Sequence, residues 1–96
     1  MVRYYEDLEV GDVYELDGRY EVTKDDILEF AEQYDPQPFH LDEEAAKESI
    51  FGSLAASGWH TASMCMRLLA DELLDPETAM GARGVDELRW KQPVHP

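Results

Sequence analysis

The chain has 96 residues, of which 44% are hydrophobic, which fits one small domain built on a single core. Its 22 acidic and 8 basic residues give a net charge of −14, and the acids are spread along the chain, which argues against nucleic-acid binding and against a disordered acidic tail. The longest apolar-leaning run, residues 62–74, contains charged residues and is too short to cross a membrane.

The acidity has two interpretations. One is a well-solvated surface, and the other is a halophilic protein, adapted to salt concentrations that screen the repulsion between like charges. The first ten residues carry acids and lack the basic start and apolar run of a secretory signal, so we expect a cytoplasmic protein. The single Cys65 agrees, because it cannot form an intrachain disulfide, and its spacing among apolar residues predicts packing in the core.

The first predicted elements lie in residues 13–22. Apolar and polar residues alternate over 13–16 and again over 20–22, with Asp17-Gly18 as a turn signal between them. This pattern predicts two short strands or an extended arm.

A helix is predicted to follow at Thr23. Thr23 and Asp26 have the spacing of a capping box, and a helix from there would end near Asp35, because Pro36 disfavours α geometry at the residue before it. The apolar residues of this helix fall on one face: Ile27, Phe30, Ala31 and Tyr34. Asp42 is then expected to cap a short second helix through residue 47, and Gly52 to interrupt the chain.

The longest helix is predicted over residues 58–74. Its apolar residues recur at intervals of three and four, as in a core helix: Ala62, Cys65, Met66, Leu69, Ala70 and Leu73. Residues 75–84 read as a loop. Residues 85–90 alternate like a strand, with Val85, Leu88 and Trp90 as candidates for burial.

The interval between Asp35 and His40 contains two prolines, Pro36 and Pro38. Each proline fixes its own φ and restricts the residue before it, so the two side chains are held in a preset relation across a turn. An aspartate and a histidine brought to one point can share acid and base work on a single proton. The alternative is that Asp35 ends a helix while His40 caps or packs locally.

Gly58 stands where the longest helix begins. Free backbone N–H groups and the positive end of the helix dipole make this position a candidate oxyanion site, suited to the oxygen of a thioester that gains negative charge. The alternative is that Gly58 only provides a flexible start for the helix.

Taken together, residues 30–68 and the later "GVDELRWKQPV" resemble the MaoC-like acyl dehydratases, also called hydratase-2 or R-specific enoyl-CoA hydratases. The motif that carries the resemblance is Asp35-x-x-Pro38-x-His40 followed by Ala56-Ser57-Gly58. The resemblance implies an α+β hotdog fold, in which a long central helix is wrapped by an antiparallel sheet. It also implies a lyase that interconverts a trans-2-enoyl-CoA and a 3-hydroxyacyl-CoA.

By this resemblance, Asp35 and His40 activate water, and the Gly58 N–H binds the thioester oxygen. We expect Ser57, Trp59 and His60 to bind substrate, with packing in the core or at its rim as the alternative for the last two. The acyl-CoA is substrate, and no cofactor is implied. Arginine and lysine residues are candidates for meeting its phosphates, with a solvated role as the alternative: Arg67, Arg83, Arg89 and Lys91.

The chain departs from the family pattern at three positions. Gln37 stands where many hydratases have Asn, and Ser57 stands where many have His. Met66 replaces a small polar residue found in some members. These substitutions weaken the expectation of the usual short-chain fatty acyl substrate, and they leave the identity of the acyl group open.

The resemblance also implies further strands after residue 96. We expect residues 1–96 to form a single hotdog domain that lacks its C-terminal strands, supplied by more of the chain or by a partner. Open strand edges and exposed apolar faces favour self-association, so we expect a homodimer or a higher homo-oligomer, the family's usual dimer having its active site near the interface.

Other functions have less support from the sequence. His40, His60 and His95 lack metal-ligand spacing, so we expect no metal site. The sequence also has no glycine-rich nucleotide-binding motif, which argues against dinucleotide binding. The main alternative to an enzyme is a non-catalytic hotdog subunit or an acyl-CoA-binding module.

Overall fold

The computed structural model describes residues 4–96. Within that range it contains a short 3-10 helix, Tyr5–Asp7, and four α-helices, which are α1 (Lys24–Tyr34), α2 (Pro38–Leu41), α3 (Glu43–Lys47) and α4 (Gly58–Glu72). Among these described residues, no helix combines the length and the apolar composition that a membrane span requires.

Helix α1 begins and ends as its sequence predicts. The Thr23 hydroxyl accepts a hydrogen bond from the Asp26 amide at 3.2 Å, and the Asp26 carboxylate accepts one from the Thr23 amide at 3.3 Å. This capping box satisfies two N–H groups that the helix would otherwise leave without partners. Ile27 and Ala31 are the buried residues of the helix, and Asp35 leaves α geometry with a φ of −149°.

Two short helices follow, and the first of them was not predicted. Helix α2 lies inside the proline-rich turn and starts at Pro38, where a missing N–H costs nothing because the first amide of a helix has no partner within it. Helix α3 was predicted, and the Asp42 carboxylate caps it by accepting from the Glu44 amide at 3.0 Å. Gly52 turns the chain with a φ of +73°, a conformation that favours glycine.

Helix α4 has the predicted position, but it buries a different face. His60 and Met64 are buried, whereas Cys65, Met66 and Ala70 of the predicted stripe are exposed. The prediction that Cys65 packs in the core is therefore wrong. The physical reason is that, among the helices of residues 4–96, α1 is the one in contact with α4, and the residue of α4 that stacks on α1 is His60, against Phe30.

No strand is assigned within residues 4–96, so the predicted strands at 13–16, 20–22 and 85–90 are wrong in this structure. A strand requires a hydrogen-bonded neighbour, and these segments instead run along the surface, where Val13 is 83% exposed and Val85 is 75% exposed. Leu88 and Trp90, also predicted to be buried, are 43% and 46% exposed. Residues 13–22 form neither helix nor strand, and the extended-arm alternative for them stays a prediction. This segment is held where Gly18 donates its amide hydrogen to both carboxylate oxygens of Glu72, at 2.8 and 2.9 Å.

The core is small and lies beneath the start of α4. Within residues 4–96 its main cluster has five buried residues, and Val94 is among the partly buried residues packed against it: Ile27, Ala46, Leu54, Ala56 and Met64. The C-terminal segment reaches this core through two contacts. The Ala56 amide donates to the Val94 carbonyl at 2.8 Å, and the His95 ring nitrogen Nδ1 lies 2.8 Å from the Leu54 carbonyl. Residues 90–95 are thereby held beside the N-terminus of α4.

Candidate active site

The proline-rich turn brings Asp35 and His40 together. The His40 Nε2 atom lies 3.5 Å from Asp35 Oδ2, and the side chains are 5% and 17% exposed respectively. This separation is longer than a direct hydrogen bond, so the two groups are adjacent without being bonded to each other, and a small molecule beside them could contact both. Asp35 and His40 therefore lie side by side, as the sequence predicts.

The His40 ring is fixed through its other nitrogen. Nδ1 lies 2.7 Å from the Ala55 carbonyl oxygen, and because a carbonyl can only accept, Nδ1 carries a hydrogen and donates it. In the neutral ring Nε2 is therefore the basic nitrogen, and it is the one that faces Asp35. The rings of Phe39 and Phe51 flank the imidazole, with centroids 4.6 and 5.8 Å away.

The Asp35 carboxylate accepts hydrogen bonds at both oxygens. The Gln37 amide nitrogen donates to Oδ1 at 2.6 Å, and the Ser57 hydroxyl donates to Oδ2 at 2.7 Å. Partial burial raises the pKa of Asp35, but the bonds from Ser57 and Gln37, together with the charge of His40, outweigh burial and lower the pKa below its ordinary value of 3.8. The carboxylate is thus held as an anion.

Gly58 begins α4, and the side chain before it does not cap the helix. Ser57 occupies the N-cap position, yet its hydroxyl makes no hydrogen bond to the first-turn amides. These amides form the positive end of the helix. The indole of Trp90 lies against Gly58, because a Cβ added there would be 2.5 Å from the Trp90 Cε2 atom. Glycine is therefore the residue that fits under this ring.

His40 and Gly58 line the same cavity, which has a volume of about 190 Å³. The C-terminal segment forms much of its wall. The remaining lining is largely apolar, with Lys91 as a cationic member: Phe51, Ala56, Thr61, Trp90, Lys91, Gln92, Pro93 and Val94. A basic nitrogen and the start of a helix thus share one small, mainly apolar space, as in many ligand sites.

Residues 7–96 match the family described as the MaoC-like domain. The chain belongs to this family. The resemblance identified from the sequence motifs is therefore confirmed.

Solved and curated relatives agree with the MaoC-like assignment. The crystal structure of the MaoC-like dehydratase from Rhodospirillum rubrum superposes with a TM-score of 0.87 at 49% identity and covers 99% of this chain. The 3-hydroxybutyryl-CoA dehydratase of Methylorubrum extorquens is 38% identical over 76 residues, or 78% of this chain. Protein MaoC of Klebsiella aerogenes is 35% identical over 95 residues, or 98% of this chain. The uncharacterized protein YdeM of Bacillus subtilis is 31% identical over 87 residues, or 91% of this chain.

This MaoC-like chain is shorter than the relatives it matches. It spans 64% of the Rhodospirillum rubrum chain, 61% of YdeM, 47% of the 3-hydroxybutyryl-CoA dehydratase and 28% of Protein MaoC. The family and the superposition support the predicted hotdog fold. The sheet belonging to that fold is not assigned within the described residues.

The three residues predicted to bind substrate are not brought together in the MaoC-like cavity. Ser57 is 1% exposed and faces Asp35. Trp59 is 60% exposed and packs edge-on against Trp90, with ring centroids 5.3 Å apart, but it is not among the residues lining the cavity. The alternative stated for Trp59, packing at the rim, describes this arrangement.

His60 lies on another side of α4, against α1. Its ring stacks on Phe30 of α1 at a centroid distance of 4.6 Å. His60 also lines a second cavity, together with Tyr20 and with several residues of α1, among them Asp26. Its Nδ1 atom is buried and has no hydrogen-bond partner among the described residues. Burial lowers the pKa of His60 below its ordinary value of 6.5, and the nearby Asp26 opposes that effect only in part. His60 therefore corresponds to the packing alternative.

Other members of the site were missed because their signals are not local. Thr61, Phe51 and Val94 line the cavity although no motif marks them. Gln37 was noted only as a departure from the family, and the structure shows it bonded to Asp35. Its position two residues after the aspartate was the available signal, since side chains at that spacing in a turn can reach each other.

Proposed function

We propose that this MaoC-like chain acts as a hydratase or dehydratase that interconverts a trans-2-enoyl-CoA and a 3-hydroxyacyl-CoA. The observation that carries the proposal is the pairing of the buried His40 with the partly buried Asp35, whose Nε2 and Oδ2 atoms are 3.5 Å apart. The His40 ring also lines the cavity at Gly58. The family and its dehydratase relatives support the same reaction class.

In the hydration direction, a water molecule would lie to one side of the pair, within hydrogen-bond reach of both His40 Nε2 and Asp35 Oδ2. Nε2 takes one proton from the water, while the water oxygen forms a bond to the β-carbon of the enoyl group. The proton then passes to the α-carbon, so that the elements of one water molecule are added across the double bond. Such positioned proton transfer contributes about 10²–10⁴-fold to the rate.

The two residues have different roles in this scheme. The lowered pKa of Asp35 makes its carboxylate a weak base, so it accepts a hydrogen bond from the water and orients it. His40 is the proton carrier, because its Nδ1 hydrogen is engaged by the Ala55 carbonyl and its basic nitrogen is Nε2. Dehydration uses the same groups in reverse.

Negative charge that builds on the thioester oxygen would be met by the Gly58 N–H. The helix dipole favours an anion at this end, and an amide fixed by the helix requires no reorganisation during the reaction. The Ser57 side chain does not compete for these amides, because it is bonded to Asp35. The largely apolar cavity wall suits the acyl chain, and Lys91 provides a cation for an anionic substrate.

The test is hydration of a panel of trans-2-enoyl-CoAs, from crotonyl-CoA to longer acyl chains, by the full chain and by Asp35→Asn, His40→Ala and the double variant. We expect each single change to lower kcat by about 10²–10⁴-fold. The double variant should lie near the worse single variant, because groups that act as one unit are strongly non-additive.

The matched control is Asp25→Asn, the same chemical change at an exposed position of α1. It should leave both kcat and the melting midpoint close to wild type. If Asp35 and His40 serve only to end a helix and pack a loop, the variants should instead lose stability and keep activity. Full activity in His40→Ala would reject the catalytic role and favour a non-catalytic acyl-CoA-binding module.

A further inference from the structure

Ser57 occupies a helix N-cap without acting as a cap. Serine is among the residues preferred at this position because its oxygen accepts from first-turn amides. Here the side chain makes no such bond. Its hydroxyl donates to Asp35 Oδ2 at 2.7 Å across 22 residues of sequence, and the residue is 1% exposed.

The oxygen that Ser57 holds is the one that faces His40. Oδ2 accepts from the Ser57 hydroxyl and lies 3.5 Å from His40 Nε2, while Gln37 donates to the other oxygen, Oδ1. Hydrogen bonds at both oxygens oppose rotation of the carboxylate. With one direction at Oδ2 taken by Ser57, the remaining lone pair is available on the side of His40.

The start of α4 does not depend on this hydroxyl. The backbone carbonyl of Ser57 already accepts from the Thr61 amide at 3.0 Å and from the Thr61 hydroxyl at 3.3 Å. The bond to Asp35 is therefore separate from the bonds that form the helix. Removing the hydroxyl leaves those backbone bonds in place.

We infer that Ser57 is a positioning residue, which fixes the Asp35 carboxylate toward His40 and at the same time leaves the first amides of α4 free for a ligand. This inference rests on the proposed hydratase function. It replaces the expectation that Ser57 itself binds substrate. Loss of the hydroxyl would release the Asp35 carboxylate but would leave the amides of α4 free, so it should affect the chemical step more than substrate binding.

The experiment compares Ser57→Ala and Ser57→Thr with wild type in the full chain. Hydration of the enoyl-CoA that the wild-type protein converts fastest, chosen from a panel of acyl-chain lengths, is measured as kcat and KM across pH. The pKa of Asp35 is measured by carbon NMR of its carboxyl group. Ser57→Ala should lower kcat by about 10–100-fold, with KM little changed; the scale is that of losing the hydrogen-bond partner that orients a metal ligand, a comparable positioning contact. It should also raise the pKa of Asp35, since a hydrogen bond to the charged form is lost. Ser57→Thr keeps the hydroxyl and should recover much of both properties.

The matched control is Ser53→Ala, an exposed serine whose hydroxyl lies near His95 and away from Asp35. It should leave kcat and the pKa of Asp35 unchanged. If Ser57→Ala does not fold, Ser57→Cys keeps nearly the same volume with a weaker donor, and a smaller loss of kcat with a raised Asp35 pKa is then expected.

Two kinetic results would overturn the inference. One is an unchanged kcat and pH profile in Ser57→Ala, and the other is a rise in KM alone, which would make Ser57 a substrate-binding residue. If the wild-type protein hydrates no enoyl-CoA, the proposed function fails, and the NMR measurement then decides the positioning contact by itself. An Asp35 pKa that is the same in wild type and Ser57→Ala would overturn it.

Discussion

The contact between Gly58 and Trp90 makes a sharp prediction for Gly58→Ala. The new Cβ would lie 2.5 Å from Trp90 Cε2 and 2.6 Å from Cδ2. Carbon atoms in contact normally lie about 3.5–4.0 Å apart, so the ring must move by about 1 Å. Backbone strain is not the obstacle, because Gly58 lies in a helix, where alanine is more stable than glycine by about 0.5–1 kcal/mol.

The expected loss of stability is small and the expected loss of activity is large. Overpacking costs about 1–3 kcal/mol, and Trp90 should fall at the low end because it is 46% exposed and has room to move. The alanine preference offsets part of that cost. Trp90 also lines the cavity with His40, and a displacement of about 1 Å near reacting groups can cost about 10²-fold in rate. We expect a melting midpoint within a few degrees of wild type, together with a fall of about 10²-fold in kcat/KM.

The assay measures the melting midpoint and kcat/KM of Gly58→Ala, Trp90→Ala and the double variant. Trp90→Ala removes the ring that the new methyl group meets, so the double variant should be no less stable than Trp90→Ala and more active than Gly58→Ala. Residues in direct contact are expected to show such coupling. Losses that simply add, or a fully active Gly58→Ala, would refute the steric reasoning.

Two further predictions concern solvent conditions. Since a net charge of −14 is carried by 96 residues, the melting midpoint should rise between about 0.1 M and multimolar KCl as screening increases, and an unchanged or lower midpoint would leave the acidity as ordinary surface composition. The second concerns His60, whose lowered pKa means that the unfolded chain binds a proton more readily than the folded one, so stability should fall as pH drops through 6.5 toward the folded pKa. Denaturant unfolding at several pH values should show a weaker dependence in His60→Phe, which keeps the stacking on Phe30; an identical dependence in both proteins would contradict this account.

Sequence patterns predicted the parts of the fold that local chemistry determines. The capping box at Thr23 and the restriction before Pro36 define α1, and the same prolines predicted that Asp35 and His40 would meet. Each of these signals acts over a few residues. A fixed φ or a side chain that caps the next turn has nearly the same effect whatever the rest of the chain does.

The parts that could not be predicted depend on distant contacts. The partner of the Ser57 hydroxyl lies 22 residues away, and nothing in the spacing distinguishes that bond from an ordinary N-cap. Likewise, the apolar stripe through Cys65 satisfies helical periodicity, but periodicity does not say which face a neighbouring helix will cover. The burial of His60 and Met64 follows from where α1 packs.

The residues that line the cavity come from two parts of the chain, one before and one after the exposed loop at residues 75–84. Residues 75–84 separate the proton-transfer pair from Trp90 and Lys91, and Met80 within that loop is 97% exposed. Exposed loop tips are preferred sites of proteolytic cleavage. A cut there would leave Asp35 and His40 in one fragment and much of the apolar wall in the other, held on by contacts such as the bond from the Ala56 amide to the Val94 carbonyl. The domain is thus organised like a pair of complementing fragments, in which one carries the Asp35–His40 pair proposed for proton transfer and the other forms much of the cavity beside His40.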